Sequence, residues 1–477
     1  MLQIAVTIAA VLLFITSIAI AARSRKNSHN VQIHRLHGAQ VLKGSWSLPW
    51  IGESFTLYSQ GPSKFYSQHI ARYGRTFRTH LMGHPTIVTS TPEAARFVLA
   101  TRHKSFVGFY PPSVSALLSF PPSLSQEMRA RISKTVRDSL QSDLIRNKIA
   151  KMDNITRWVL SSWDNQPYVV TFQEARKLAF HLVLDFSAGM APSPETMKVI
   201  HDFRYVIKGM GSSMQLNIPG TSYHMALEKK QQVLEAFSPV VKKRRLEKSK
   251  EKCQLDIMME VENDNGERIS DDLLQFQLYG LMFAGSHSSA VLFLWLVKFL
   301  GENQQILQQV KAEQDTIRMG KISSEDPLSW MDIVNMPFTS AVIKETLRLV
   351  NIVSFVSRQA TEDINYEGIL IPKGWLIQAG IGNFHLSPEY HKDPLKFDPS
   401  RFQGPTKPIA FMPFGTGPTM CPGRELVKIE ALVFLHYLAT PYSWESIGSE
   451  KGIDYWPSPT IKGGLPIKVL KLSKCVI

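Results

Sequence analysis

Cysteine is scarce in this chain. Only three occur among its 477 residues, Cys253, Cys421 and Cys475, and they are far apart. An odd count at such wide spacing provides no disulfide framework of the kind that staples small secreted domains. The cysteine content therefore fits a protein kept in a reducing compartment.

The sequence also lacks internal repeats, low-complexity tracts and any nucleic-acid recognition motif. Its formal net charge is +14, but the basic residues are scattered. No nucleic-acid partner is therefore predicted. An anionic membrane surface or an acidic electron-donor protein accounts better for this charge, and an ordinary solvated surface is the alternative. No linker divides the chain after about residue 43, which predicts one large, mostly helical catalytic domain over residues 44–477.

Charged side chains are absent from residues 1–22, and Arg23, Arg25 and Lys26 follow at once. About 20 apolar residues are enough to span a bilayer. A cleaved signal peptide carries its positive charge before the apolar core, the reverse of this order. We predict a retained transmembrane anchor at 1–22, a linker at 23–43, and a catalytic domain on the cytosolic side.

One of the three cysteines lies in an unusual loop near the C-terminus, Phe411 to Gly423. Gly415 and Gly417 permit turns that other residues resist, and Phe414 supplies an apolar cover. Pro422 suits the first position of a helix. Cys421 would then lie at a helix N-terminus, which favours the thiolate. The pattern predicts a loop that holds a sulfur ligand against a metal.

A long, mostly apolar helix is predicted from about Asp271 to about Leu300, with Ser270 as its N-cap. Its middle carries small residues and hydroxyls at 284–289, where a flat group could approach the helix. Further upstream, alternation predicts a β-hairpin over 76–90 centred on residues 83–85, and Thr91 is predicted to cap a helix. Near the end of the helical region, Glu345 and Arg348 can pair on one helix face.

These features together resemble the cytochrome P450 family. The cysteine loop is similar to the family's Phe-x-x-Gly-x-x-x-Cys-x-Gly, Glu345 and Arg348 to its Glu-x-x-Arg, and Arg401-Phe402 to its Pro-x-Arg-Phe. The resemblance implies a P450 fold that is mainly α with small β-sheets, and an N-terminal transmembrane helix. It further implies heme b, with Cys421 as the axial ligand of the iron and with Phe414, Gly415 and Gly423 shaping the loop. Arg401 would join the Glu345–Arg348 pair in a structural network.

The resemblance also implies roles for residues outside the loop, and at two places the chain departs from the family. Arg358 and Arg129 stand where relatives hold the haem propionates, while Thr419 replaces a third arginine. In the long helix the family has an acid followed by threonine, and this chain has His287 and Ser288. Both are candidates for proton delivery to bound oxygen, although His287 could equally fill a groove in a buried helix.

Within the family, residues from about 330 onward look most like the plant abscisic-acid 8′-hydroxylases and their relatives, on stretches such as 362–368 and 421–426. This predicts a membrane-bound monooxygenase that hydroxylates an apolar terpenoid-derived metabolite or hormone, of abscisic-acid, sterol or other terpenoid type. It would use O₂ and NADPH-derived electrons supplied by NADPH-cytochrome P450 reductase at the endoplasmic reticulum. Two alternatives stay open: an O₂-independent isomerase or dehydratase on the same fold, and a catalytically degenerate membrane-bound ligand binder.

Overall fold

The computed structural model describes residues 42–45, 52–118, 124–141, 143–164, 166–212, 215–247, 251–263, 265–323, 325–404, 410–449 and 451–472. The predicted anchor and nearly all of the predicted linker lie outside these residues. Among the residues described, one helix is long and apolar enough to cross a membrane, Asp271–Glu302, and 61% of its apolar stretch is buried inside the fold. That helix is a core element of the catalytic domain.

Helices predominate over strands, as predicted. The helices are α1 Ser54–Gln60, α2 Pro62–Tyr73, α3 Pro92–Arg96, α4 Pro112–Leu118, α5 Gln126–Ser139, α6 Asp143–Asn147, α7 Ile149–Ser161, α8 Thr171–Ala188, α9 Pro194–Met210, α10 Ser222–Leu246, α11 Gln254–Met259, α12 Asp271–Glu302, α13 Gln304–Met319, α14 Trp330–Val334, α15 Pro337–Val350, α16 Ile381–His385 and α17 Arg424–Ala439. The strands are β1 Thr76–Leu81, β2 His84–Thr89, β3 Phe106–Gly108, β4 Val169–Val170, β5 Val356–Ala360, β6 Ile364–Tyr366, β7 Ile369–Ile371, β8 Leu376–Ala379, β9 Tyr442–Ser446, β10 Ile453–Asp454, β11 Thr460–Ile461 and β12 Pro466–Lys471.

The chain divides into two compact units. The first comprises residues up to Tyr110 together with Val353–Pro394 and Pro408–Met420. Its framework is a five-stranded sheet in the order β1-β2-β8-β5-β3, in which β2 and β8 are parallel and the other neighbours antiparallel. The predicted hairpin is confirmed as β1–β2. Its turn lies at Met82-Gly83, slightly earlier than predicted, because both residues take the positive φ that a tight two-residue hairpin turn needs.

The second unit comprises Pro111–Ile352, Leu395–Lys407 and the residues from Cys421 onward. Its centre is α12, whose 32 residues would extend about 48 Å at 1.5 Å per residue. Ser270 caps this helix by accepting the N–H of Leu273 at 3.4 Å, as predicted. Helix α8 packs closely beside α12, since a Cβ at Gly285 would meet Cγ2 of Val183 at 2.7 Å. Gly285 is therefore required for contact between two helices.

The start of α17 corrects one prediction. The helix begins at Arg424 with Gly423 as N-cap, so Pro422 does not occupy its first position. The physical reason is a turn at residues 422–423 that directs the Gly423 N–H to the sulfur of Cys421. The other predicted cap is confirmed, because Thr91 accepts the N–H of Ala94 at 3.2 Å.

Candidate functional site

Cys421 lies three residues before α17, at the edge of the second unit, and is exposed. Although the residue as a whole is exposed, protein atoms surround its sulfur closely enough that partial burial raises the pKa of the thiol, while the Gly423 N–H and the charge of Arg424 act in the opposite direction. The net shift is upward. A thiolate at Cys421 stays a prediction.

The rest of the cysteine loop belongs to the first unit. Gly415 and Gly417 have φ of 73° and 72°, so both need the left-handed conformation that glycine permits. The N–H of Gly415 donates to the Met412 carbonyl at 3.0 Å, and Phe414 is half-buried. The Met412 N–H in turn donates to Nε2 of His385 at 2.9 Å. His385 is fully buried at the end of α16 and anchors the loop, a role that no sequence motif indicated.

Arg358 and Thr419 come together in the first unit. Nη2 of Arg358 donates to the Thr419 hydroxyl at 3.1 Å, and Nη1 donates to the Ser357 carbonyl at 3.0 Å. Burial lowers the pKa of the guanidinium. The threonine that replaces an arginine of the family motif thus orients the remaining arginine.

Arg129 lies in the first turn of α5, in the second unit. Its Nε donates to the Leu124 carbonyl at 3.1 Å. This bond ties the arginine to the segment that leads into its own helix. A role toward a haem propionate stays a prediction.

His287 and Ser288 are adjacent in α12, but their side chains lie in different surroundings. The Ser288 hydroxyl is exposed and donates to the Ala284 carbonyl at 3.0 Å. His287 instead meets the ring of Phe172 in α8 edge to face, at 6.0 Å between ring centroids. Both of its ring nitrogens are buried, and neither has a hydrogen-bond partner within the described parts of the chain. Burial, and then the nearby charge of Arg176, lower the pKa of His287 to about 4.

A buried acid that sequence reasoning missed connects α12 to α17. The Ser289 hydroxyl donates to Oε2 of Glu430 at 3.0 Å, and complete burial raises the pKa of this carboxyl to about 8. Four residues further along each helix, the rings of Phe293 and Phe434 stack at 4.9 Å. The only available signal was one acid inside an apolar helical stretch.

From the Ser289–Glu430 contact to the Phe293–Phe434 contact, the residue number rises by four on both helices. The two helices α12 and α17 therefore run parallel. Continuing this register back by one turn sets residue 285 opposite residue 426. Ala284 and Cys421 therefore belong to the same end of this helix pair. Both are exposed, Ala284 in the middle of a helix that is mostly buried.

The predicted charge network is present behind this region. Nη2 and Nε of Arg348 donate to the two carboxylate oxygens of Glu345, each at 2.8 Å, and both side chains are fully buried. Nε of Arg401 donates to Glu345 at 3.4 Å, and the Asp398 N–H does so at 3.0 Å. The network fixes the 3₁₀ turn Pro399–Phe402 against α15.

These residues fit a haem in the second unit. Cys421 is an exposed residue with a free sulfur, and Ala284 leaves room for a flat group on the same end of the helix pair. The exposed hydroxyl of Ser288 lies one turn further along α12. A thiolate ligand with an alcohol on an opposing helix is a donor set suited to haem iron and bound oxygen.

Comparisons with known proteins agree with this fit. The family model described as Cytochrome P450 matches residues 42–460. Abscisic acid 8′-hydroxylase 4 of Arabidopsis thaliana is 36% identical over 450 residues, 94% of each chain. Abscisic acid 8′-hydroxylase 3 of Oryza sativa subsp. indica is 34% identical over 449 residues, 92% of this chain and 89% of the relative.

Among solved structures, the retinoic-acid-bound cyanobacterial CYP120A1 matches with a TM-score of 0.82 and 26% identity. The match covers 91% of this chain and all of that one. Fold, cysteine loop and relatives agree, and the chain belongs to the cytochrome P450 family, as a monooxygenase with haem as its cofactor.

Proposed function

We propose that this protein is a membrane-anchored haem-thiolate hydroxylase of a terpenoid-derived plant hormone, with abscisic acid as the first substrate to test. The observation that carries the proposal is the exposed Cys421 three residues before α17, on the same end of the helix pair as Ala284. Relatives named abscisic acid 8′-hydroxylases, 34–36% identical over most of their length, support the substrate class.

Haem with a thiolate ligand supplies dioxygen activation, because the sulfur pushes electron density that favours O–O cleavage. In the net reaction, a C–H bond, O₂, two electrons and two protons give an alcohol and water. Cys421 would ligate the iron, with Phe414, Gly415 and Gly423 shaping its loop. Arg358, oriented by Thr419, and Arg129 would bind the propionates. The hydroxyl of Ser288 would hold a water for proton delivery, and His287 is the second candidate for that role.

The electron source belongs to the same proposal. NADPH-cytochrome P450 reductase would supply both electrons at the endoplasmic reticulum membrane, where residues 1–22 anchor the chain and the catalytic domain faces the cytosol. The net charge of +14 supports docking of an acidic partner.

Replacing the sulfur tests the ligand assignment. Cys421→Ala is expected to abolish the reduced carbon-monoxide absorbance band of thiolate-ligated haem, because residues 411–423 contain no second thiol. Cys253→Ala is the matched control, since Cys253 is buried at the start of α11 and should leave the band in place. A Cys421→Ala protein with an unchanged band would contradict the assignment.

Co-expression with a plant reductase tests the reaction. With abscisic acid, NADPH and isotopically labelled dioxygen, the product should be heavier by one labelled oxygen. Turnover without NADPH would favour the isomerase or dehydratase, which the neutral His287 in place of an acid makes a real alternative. Purified protein without a Soret band would favour the ligand binder, in line with the missing arginine at Thr419.

A further inference from the structure

Among the residues that the structure describes, a positive charge without a counterion lies between α8 and α12. The guanidinium of Arg176 in α8 lies over the ring of Phe172, 5.6 Å from its centroid, and its Nε is buried without a hydrogen-bond partner. His287 of α12 reaches the same ring edge to face. Both of its nitrogens are also buried and unpaired. Three buried nitrogen atoms from two helices thus lack partners around one aromatic ring.

The carboxylates nearby in sequence do not supply the missing charge. On α8, Glu174 accepts from Trp163 at 3.1 Å and Asp185 pairs with Lys148 at 3.2 Å. On α9, Asp202 pairs with Lys229 at 2.8 Å. Within the part of the chain that the structure describes, Arg176 forms no ion pair. Arg204 adds a second positive charge, which together with burial lowers the pKa of Arg176 to about 10.

Arg176 is half-buried, but leaving its enclosed Nε without a partner is costly, and water would satisfy that N–H without balancing the guanidinium charge. A small anion does both, and it can also accept an N–H from the imidazole. We infer that Arg176 and His287 form a binding site for a small monovalent anion, such as chloride, between α8 and α12. The site goes beyond the proposed function. It lies next to Ser288, so a bound anion would favour the protonated imidazole beside the candidate proton-delivery hydroxyl.

Thermal unfolding of the purified holoenzyme tests the site with chloride as the probe. Sodium chloride is compared with sodium gluconate at equal ionic strength, because gluconate is too bulky for a buried site. The wild-type midpoint should rise and saturate with chloride, by about 1–2 °C. Arg176→Gln should lose this response. Lys177→Gln is the matched control on the same helix, since its amine lies over Trp158 instead, and it should keep the response.

His287→Asp tests the same site in the opposite direction. The new carboxylate would pair with Arg176 internally, so the midpoint in gluconate should exceed that of the wild type and the chloride response should vanish. Bromide-soaked wild-type crystals should give an anomalous peak between Arg176 and His287, which needs no variant to fold. Equal wild-type midpoints in the two salts, or no bromide peak at this position, would overturn the inference.

Discussion

At the scale of single residues, Glu430 is the most perturbed acid of the site region. An unshifted glutamate titrates near 4.5, whereas complete burial raises the pKa of Glu430 to about 8. The hydroxyl of Ser289 is its hydrogen-bond donor. At neutral pH the folded protein therefore keeps this carboxyl protonated.

The proton on Glu430 should make the free energy of unfolding depend on pH. Between pH 4.5 and 8 the folded state binds a proton that the unfolded chain has released, so the free energy of unfolding falls as the pH rises. One such group contributes at most about 1.4 kcal/mol per pH unit. Glu430→Gln should remove this part of the slope, measured by urea unfolding at several pH values. Glu425→Gln, an exposed position in the first turn of α17, should retain it. Equal slopes in Glu430→Gln and the wild type would contradict the assignment.

At the scale of elements, Gly415 and Gly417 of the cysteine loop differ in how crowded their surroundings are, although their backbone conformations are alike. Both need a left-handed backbone, but only Gly417 is also crowded. A Cβ there would lie 2.6 Å from the Leu99 carbonyl oxygen and 2.7 Å from Cα of Ala100. At Gly415, by contrast, no atom of the described residues lies within 4 Å of such a Cβ.

Alanine at each position should therefore have unequal effects. Gly415→Ala should lower the free energy of unfolding by about 1–2 kcal/mol, the cost of a left-handed non-glycine residue. Gly417→Ala should cost more and reduce haem content, because the backbone of residues 99–100 must move. Thermal unfolding and the haem-to-protein ratio measure both effects. Similar losses in the two variants would show that conformation alone determines them.

Elements were predictable where a local signal fixes them. Thr91 and Ser270 indicate helix starts because their side-chain oxygens can cap the first turn. The alternating residue pattern over 76–90 indicates a hairpin. The start of α17 was placed too early because Pro422 is compatible with a helix, while the sulfur of Cys421 competes for the Gly423 N–H. Glu430 and His385 were missed because their partners, Ser289 and Met412, are far away in the sequence.

At the scale of the whole molecule, the fold and cofactor were predictable because family motifs recur in order along the chain. The Glu345–Arg348–Arg401 network was also predictable, although a residue pair on one helix gives little information alone. The surroundings of His287 were not. Whether a side chain in a buried helix faces a neighbouring helix or an open space depends on packing against α8, which leaves no local trace in the sequence.

Membrane attachment is a property of the whole chain and can be tested as such. The full-length protein should resist extraction from membranes by alkaline carbonate, because about 20 uncharged apolar residues are sufficient to span the bilayer. Deletion of residues 2–22 should make the protein extractable and leave the reduced carbon-monoxide band unchanged. Extraction of the full-length chain by carbonate would contradict a transmembrane anchor.

Two adjacent positions on α12, 284 and 285, differ in how well they should tolerate substitution. A side chain at Gly285 would force Val183 to move, because a Cβ there would lie 2.7 Å from Cγ2 of Val183. Ala284, its neighbour, is exposed and leaves the packing of the helix untouched. A laboratory evolution library would therefore be unproductive at position 285, whereas position 284 is where altered substrate selectivity could be obtained without loss of folding.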